Sequence, residues 1–166
     1  MQSWFECKVQ YVKVGEDGRE NKATENYLLD AVSFTDAEAR IVRVMQTLAN
    51  GGEFVVTDIK KSRLGEVFPF EVGEWWFKAT VNLVTIDEEQ GKEKKVRIYY
   101  LVEADDIQDA LKRLDESLSD MVVPYIVTAI AVSTIVDVYP HDAPEFQVPA
   151  NLRPLNEVEQ DSAQTN

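Results

Sequence analysis

The sequence has only one cysteine and one histidine, and the scarcity of both residue types excludes several kinds of site. Cys7 alone forms neither a disulfide framework nor a cysteine-clustered metal centre, and it falls on the apolar side of a predicted strand as a small buried hydrophobe. Because His141 is the single imidazole, no Ser-His-Asp or Cys-His arrangement is predicted. We expect no catalytic residues and no cofactor. A non-catalytic protein is favoured, although an enzyme is left open.

Long hydrophobic runs are also missing. No apolar run reaches the roughly 18 residues that a membrane-spanning helix needs. The first residues, Met1 to Glu6, lack the basic and apolar regions of a signal peptide. These two absences predict a cytoplasmic protein that does not bind a membrane.

Basic residues are in short supply, since 17 Lys and Arg stand against 30 Asp and Glu, which gives a formal net charge of −13. Phosphate-backbone binding depends on Lys and Arg, so this balance argues against general nucleic-acid binding. The acidity is uneven. Residues 1–71 contain 9 basic and 12 acidic residues, whereas residues 72–140 contain 7 and 13, and residues 141–166 contain 1 and 5. The first segment is therefore close to neutral.

The sequence does contain an internal repeat with a spacing of about 72 residues. The match joins segments that open with Trp-Phe, continue through Tyr-Leu and close on an aromatic residue before proline: 4–9 with 76–81, 27–29 with 100–102, and 67–69 with 138–140. We predict a tandem duplication with a first unit at 1–71 and a second unit at 72–140. An acidic, proline-containing and largely disordered tail follows at 141–166.

Each unit is predicted to fold as strand, strand, helix, strand. Period-2 alternation predicts the hairpin strands, and apolar residues three and four positions apart predict the helices. The predicted hairpin strands and helices occupy equivalent positions in both units: 4–14, 22–32 and 34–49, then 76–87, 94–104 and 106–120. The predicted fold class is α+β, with an antiparallel or mixed sheet, helices on one face and a pseudo-twofold axis. The two units either share one sheet or pack two sheets face to face.

The third strand differs between the units. Residues 125–138 are almost continuously apolar, which predicts a central strand buried on both faces. The same stretch of the first unit carries Lys60, Lys61 and Arg63, so it should be more exposed, with a bend or bulge at Gly65.

Three segments carry a resemblance to a known family: residues 4–9, 33–41 and 76–78. They resemble a family of short bacterial proteins, also found in phages and other mobile elements, that is known only as a domain of unknown function. The resemblance covers roughly residues 3–140. It implies a small cytoplasmic protein, plausibly phage-encoded, that binds, inhibits or sequesters something in the host, and it provides no active-site residues to carry over to this chain.

Two tryptophans form the first candidate binding feature. Strict alternation places Trp4 and Trp76 on the sheet face opposite Phe5 and Phe77, and Tyr99 falls on the same outer row. An outer face with large aromatic side chains should be covered by something. Either the two units or a second chain cover it, which is favoured, or a ligand groove lies between the units.

The second candidate feature is the basic segment, defined as Lys60, Lys61 and Arg63. Such a stretch in an acidic protein could hold a phosphate or a nucleotide. The alternative, slightly favoured, is an edge strand that uses Lys and Arg to block pairing with other chains. The acidic clusters of the sequence have local reasons to be acidic, as turns and helix starts, so no metal site is predicted.

These observations favour a non-catalytic binding protein that engages a protein partner or a second protomer through the outer sheet face. Its binding residues would be Trp4, Trp76, Lys60, Lys61, Arg63 and Tyr99. One alternative is sequestration of a small anionic, nucleotide-type ligand that blocks host signalling or defence. A further alternative is a DNA mimic that blocks a basic host protein with its acidic surface.

Overall fold

The computed structural model describes residues 2–49, 52–71 and 73–140. The predicted tail at 141–166 and His141 lie outside the described residues. The first half forms β1 (Ser3–Val14), β2 (Glu20–Ala31), α1 (Phe34–Leu48), β3 (Phe54–Lys61) and β4 (Leu64–Phe68). The second half repeats this order with β5 (Trp75–Asp87), β6 (Lys92–Ala104), α2 (Ile107–Ser117), β7 (Tyr125–Val132) and β8 (Ile135–Tyr139).

Local sequence signals account for the element boundaries. Gly18 and Gly91 adopt positive φ angles of 75° and 62° in the turns that join β1 to β2 and β5 to β6, a conformation that glycine adopts without steric cost. Both helices start with a side-chain cap. The Ser33 hydroxyl accepts a hydrogen bond from the Asp36 amide, and the Asp106 carboxylate accepts one from the Asp109 amide. The predicted hairpins and helix starts are therefore confirmed.

The strands form two four-stranded mixed sheets, with the orders β3-β1-β2-β8 and β4-β6-β5-β7. The predicted α+β class is confirmed, and of the two arrangements left open the structure has two sheets. The predicted order of strand, strand, helix, strand is corrected in one respect, since each half ends with a fourth strand. The last strand of each half joins the other sheet. β4 pairs in parallel with β6, and β8 pairs in parallel with β2. This reciprocal exchange of strands ties the two halves together.

Three apolar cores hold the molecule together, one under each helix and one between the two sheets. α1 packs on one face of the first sheet, and α2 packs on one face of the second. The opposite faces of the two sheets pack against each other around Leu28, Trp76, Leu101 and Ile135. The order of layers is therefore helix, sheet, sheet, helix. A third core therefore lies between the two halves, where the two sheets overlap.

The prediction of a central strand over residues 125–138 is wrong. The chain breaks at Ser133 and Thr134, and β7 is an edge strand beside β5, with Ile126 53% and Val132 57% exposed. The two parts of this mostly apolar stretch belong to different sheets. The irregularity expected at Gly65 is confirmed, since the register between β4 and β6 shifts between Leu64 and Glu66.

Neither α1 nor α2, the helices of the described ranges, is long and apolar enough to cross a membrane.

Candidate functional site

The two tryptophans occupy the interface between the sheets. Trp76 is only 8% exposed and packs in the core that Leu28 and Leu101 share, and Trp4 is half-buried against the same core. The sequence left open whether protein covers the aromatic face or a ligand groove lies there. For Trp76, the structure shows that the other half covers the side chain. A partner could reach this side chain only if the two sheets separated.

A cavity of about 240 Å³ opens at the edge of this interface, and we call it the inter-unit cavity. Residues of both halves line it: Glu6, Lys60, Lys61, Ser62, Arg63, Leu64, Lys78, Tyr99, Leu101, Ser133 and Ile135. Four of the six predicted binding residues, the whole basic segment and Tyr99, therefore meet in one place. Trp4 and Trp76 lie behind the cavity and are not among its described lining residues.

Corresponding positions of the two halves line the cavity together. Both members of three equivalent pairs line it: Glu6 with Lys78, Ser62 with Ser133, and Leu64 with Ile135. The backbone is fixed in the same way on both sides. The Ser62 amide donates to the Trp4 carbonyl over 2.7 Å, and the Ser133 amide donates to the Trp76 carbonyl over 2.8 Å. Matched hydrogen bonds of this kind hold both walls in place.

The serine side chains continue this pattern. The hydroxyl of Ser62 accepts a hydrogen bond from the Leu64 amide over 3.2 Å, and that of Ser133 accepts one from the Ile135 amide over 3.1 Å. Each serine thus holds the bend at which the chain leaves one sheet and enters the other. The strand exchange and the cavity share the same anchoring residues.

Four cations and one carboxylate line the cavity. Glu6 and Lys60 face each other across the β1–β3 ladder, with their charged atoms 3.2 Å apart. The Lys78 ammonium lies over the Tyr99 ring, 4.5 Å from its centroid, which is a cation–π geometry. Within the described ranges, Lys61, Arg63 and Lys78 form no ion pair with a carboxylate. The cavity is therefore a local positive site in a protein of net charge −13.

Three of the four cations come from the first half. The positions equivalent to Lys60, Lys61 and Arg63 are Ala131, Val132 and Thr134, which are neutral. Thr134 instead accepts a hydrogen bond from the Asn26 side chain over 3.0 Å. Both sequences fit the same backbone arrangement.

Sequence reasoning missed one of the four cations of the cavity, Lys78. The signal was present, because alternation places Lys78 on the outer face of β5 next to Trp76, on the row that also holds Tyr99 of β6. What the sequence did not reveal was that β4 crosses to β6. Its pairing of Leu64 with Tyr99 carries the basic segment towards Lys78.

No nucleophile faces this cavity in an activated form. Cys7 has no exposed surface and lies in the core under α1, where burial, with smaller contributions from Asp58 and Glu6, raises the pKa of its thiol to about 12. A thiol in this environment stays protonated and inert. Among the residues that the structure describes, no group of three His, Cys, Asp or Glu side chains could hold a metal ion. The arrangement is suited to binding an anion.

A second polar cluster lies on the first sheet, centred on Glu25. The Glu25 carboxylate accepts hydrogen bonds from the Tyr11 hydroxyl over 2.8 Å, from the Tyr27 hydroxyl and from the Lys13 ammonium. Burial acts to raise the pKa of Glu25, but the hydrogen bonds from Lys13, Tyr27 and Tyr11 outweigh it and hold the pKa below its ordinary value. All three side chains donate to the one carboxylate, so we interpret the cluster as structural.

A family model described as Domain of unknown function (DUF4494) matches residues 3–141. The chain therefore belongs to the DUF4494 family, as the resemblance of the Trp-Phe segments indicated. No curated protein and no solved structure matches the chain.

Proposed function

We propose that this member of the DUF4494 family is a non-catalytic protein that binds a small anionic ligand in the inter-unit cavity. The observation that carries the proposal is the convergence of Lys60, Lys61, Arg63 and Lys78 on one cavity of an otherwise acidic chain. Like charges placed close together repel one another, and an anion between them relieves that repulsion.

The walls of the cavity support the same function. The backbone on both sides is fixed by the Ser62 and Ser133 hydrogen bonds, so the site is largely formed before a ligand arrives. A preformed site loses less conformational entropy on binding than a flexible one. The cavity also lies between two sheets, where the surrounding protein screens charges less than bulk water does.

The alternative edge-strand role of the basic segment is compatible with this proposal. β3 is an edge strand of its sheet, and charges on it discourage pairing with other chains. That role does not explain Lys78, which comes from the central strand β5 of the other sheet. Anion binding accounts for all four cations with one cause.

The other predicted functions receive less support. A protein partner or second protomer at the outer sheet face would have to displace the packing of Trp76 against Leu28 and Leu101. A DNA mimic would act through the overall net charge of −13. The description of the matching family says nothing about such a role. A phage-encoded binder that sequesters a host signal agrees with the anion proposal, and the support for that origin is the sequence resemblance alone.

A variant taken from the protein's own second half tests the proposal. The triple change Lys60→Ala, Lys61→Val and Arg63→Thr installs the residues found at the equivalent positions of the other half, so the fold should tolerate it. We expect inorganic diphosphate to bind the natural protein in isothermal titration calorimetry at low salt. The triple variant should bind at least about tenfold more weakly, a loss of about 1.4 kcal/mol.

A charge-matched control separates a site from general electrostatics. Lys92, Lys94 and Lys95 are exposed at the β5–β6 hairpin and do not line the inter-unit cavity. Changing all three to Ala removes three positive charges, the same number as in the first triple variant. Binding that is kept in this control and lost in the first triple variant supports the proposal. Equal weakening of both variants, or absence of binding by the natural protein, would refute it.

A further inference from the structure

We infer that the inter-unit cavity recognises the phosphate group of its ligand, as a phosphate monoester or diphosphate, and that it does not recognise a nucleobase. The inference rests on the proposed function and specifies its ligand. It also assigns Glu6 a role as an internal competitor that occupies Lys60 until the ligand binds.

The positive charge of the cavity indicates how many negative charges a well-matched ligand carries. Glu6 neutralises Lys60 at 3.2 Å, which leaves Lys61, Arg63 and Lys78 without a carboxylate partner in the described ranges. Three uncompensated cations fit a group with two or three negative charges better than a single carboxylate. A phosphate monoester or a diphosphate near neutral pH carries such a charge. The guanidinium of Arg63 adds a planar fork of donors that matches pairs of phosphate oxygens.

The aromatic surface argues against base stacking. Tyr99 is the one aromatic side chain among the described lining residues, and the Lys78 ammonium lies over its ring at 4.5 Å. A nucleobase that stacked on this face would displace Lys78 from the ring. It would thereby remove a cation–π contact and move a cation that the phosphate needs. The ring therefore positions Lys78 and does not serve as a stacking platform.

The size of the cavity points in the same direction. Its volume of about 240 Å³ is below the roughly 300–1,000 Å³ of pockets that enclose drug-sized ligands. A phosphate or diphosphate group fits inside with its counter-charges. The remainder of a larger ligand would project into solvent, where it gains little from the protein.

Glu6 is the only carboxylate among the described lining residues, and its position opposes anion binding. Its negative charge repels an incoming anion, and its ion pair with Lys60 removes one cation from the site. The equivalent position in the other half is Lys78, so the pseudo-twofold relation places a competitor on one side and a ligand contact on the other. When an anion enters, Lys60 can exchange Glu6 for the ligand.

Four probes test which part of the ligand is recognised: inorganic diphosphate, ribose 5-phosphate, adenosine monophosphate and adenosine. We expect ribose 5-phosphate and adenosine monophosphate to bind within about threefold of each other, which is less than 1 kcal/mol. Adenosine should not bind. A preference of tenfold or more for adenosine monophosphate over ribose 5-phosphate, or binding of adenosine, would overturn the inference while leaving anion binding intact. Absence of binding by every probe would refute the proposed function as well.

The sign of one substitution tests the role of Glu6. Glu6→Gln keeps the size of the side chain and removes its charge, so we expect diphosphate to bind several-fold more tightly. Glu20→Gln removes one charge from an exposed position at the start of β2 and should leave the affinity unchanged. Weaker binding by Glu6→Gln, with an unchanged thermal unfolding midpoint, would show that Glu6 contacts the ligand and would overturn its role as a competitor.

Lys78→Gln provides a second, independent test. Because Lys78 is exposed, this variant should fold normally, and we expect at least about a tenfold loss of diphosphate affinity. The same variant uncovers the Tyr99 ring. If adenosine monophosphate then gains affinity relative to ribose 5-phosphate, the ring is shielded from bases by Lys78 as inferred. Unchanged diphosphate affinity in Lys78→Gln would contradict the inference.

Discussion

The two edge strands β3 and β7 occupy equivalent places and differ most in charge. β3 reads Phe-Val-Val-Thr-Asp-Ile-Lys-Lys, whereas β7 reads Tyr-Ile-Val-Thr-Ala-Ile-Ala-Val, with no charged residue. Their hydrogen-bond registers to β1 and β5 are matched, including a shift after Lys8 in one ladder and after Thr80 in the other. One backbone thus accepts both sequences. We therefore expect the fold to tolerate removal of the lysines at the end of β3.

A second difference between the halves lies in the core. The Glu25 cluster of the first half has its equivalent at Ile98 in the second, where Leu83 replaces Tyr11. The first half therefore fills this corner with a hydrogen-bonded carboxylate and the second fills it with apolar side chains. The halves share a frame, and each has its own means of stabilising it.

Loss of the core between the sheets should have the largest effect on stability. Trp76→Ala removes a side chain that is 8% exposed and packed between the sheets, so we expect it to lower the free energy of unfolding by about 3–5 kcal/mol. Trp4→Ala should cost clearly less because Trp4 is only half-buried. Urea unfolding of the two variants measures both values. Equal losses would contradict the difference in burial between these equivalent positions.

Acid should act on the first half through Glu25. The pKa of this carboxyl is below its ordinary value of 4.5 in the folded protein, so its stabilising contribution is complete above that value and is lost as the pH falls further. We expect Glu25→Gln to cost about 1–3 kcal/mol at pH 7, because hydrogen bonds to a charged group are replaced by weaker ones.

The pH dependence is the more specific part of that prediction. The difference in stability between the natural protein and Glu25→Gln should shrink as the pH is lowered from 5 towards 3. Thermal unfolding at several pH values measures it. A difference that stays constant or grows on acidification would contradict the lowered pKa.

Replacement of the basic segment by its equivalents should have the smallest effect on stability. Lys60→Ala, Lys61→Val and Arg63→Thr together should change the free energy of unfolding by no more than about 0.5 kcal/mol, since Lys60, Lys61 and Arg63 are all exposed. The loss of edge charges should instead increase self-association, which sedimentation velocity measures. A loss of several kcal/mol would show that the fold requires these cations.

Much of the fold followed from local patterns. The hairpins, the helix caps at Ser33 and Asp106, and the inward row of Phe5, Cys7 and Val9 all depend on neighbours in the sequence. The exchange of β4 and β8 between sheets depends on contacts between distant segments. Ser133 and Thr134 mark the place where the chain changes sheets, but two polar residues in an otherwise mostly apolar stretch such as 125–138 also fit a single strand. The edge position of β7 was therefore predicted wrongly.

The candidate site also combines residues that local sequence patterns identified with a residue that only contacts between distant segments reveal. The basic segment was noticeable as a cluster of cations in an acidic chain. Tyr99 was noticeable as a large aromatic side chain on the outer row of a strand. Lys78 could not be assigned from its own neighbours, since its proximity to Arg63 depends on the pairing of Leu64 with Tyr99. The tryptophans were prominent for another reason: they form the core that fixes the walls of the cavity.

The most direct test of the central claim is a nuclear magnetic resonance titration of the ¹⁵N-labelled protein with inorganic diphosphate. We predict saturable shifts of the amides of residues 60–64, of Lys78 and Tyr99, and of residues 133–135 across the pseudo-twofold relation. The amides of the basic hairpin at 92–97 should not shift. Shifts confined to that hairpin, or shifts spread over all lysine and arginine residues without saturation, would contradict an anion site between the two halves.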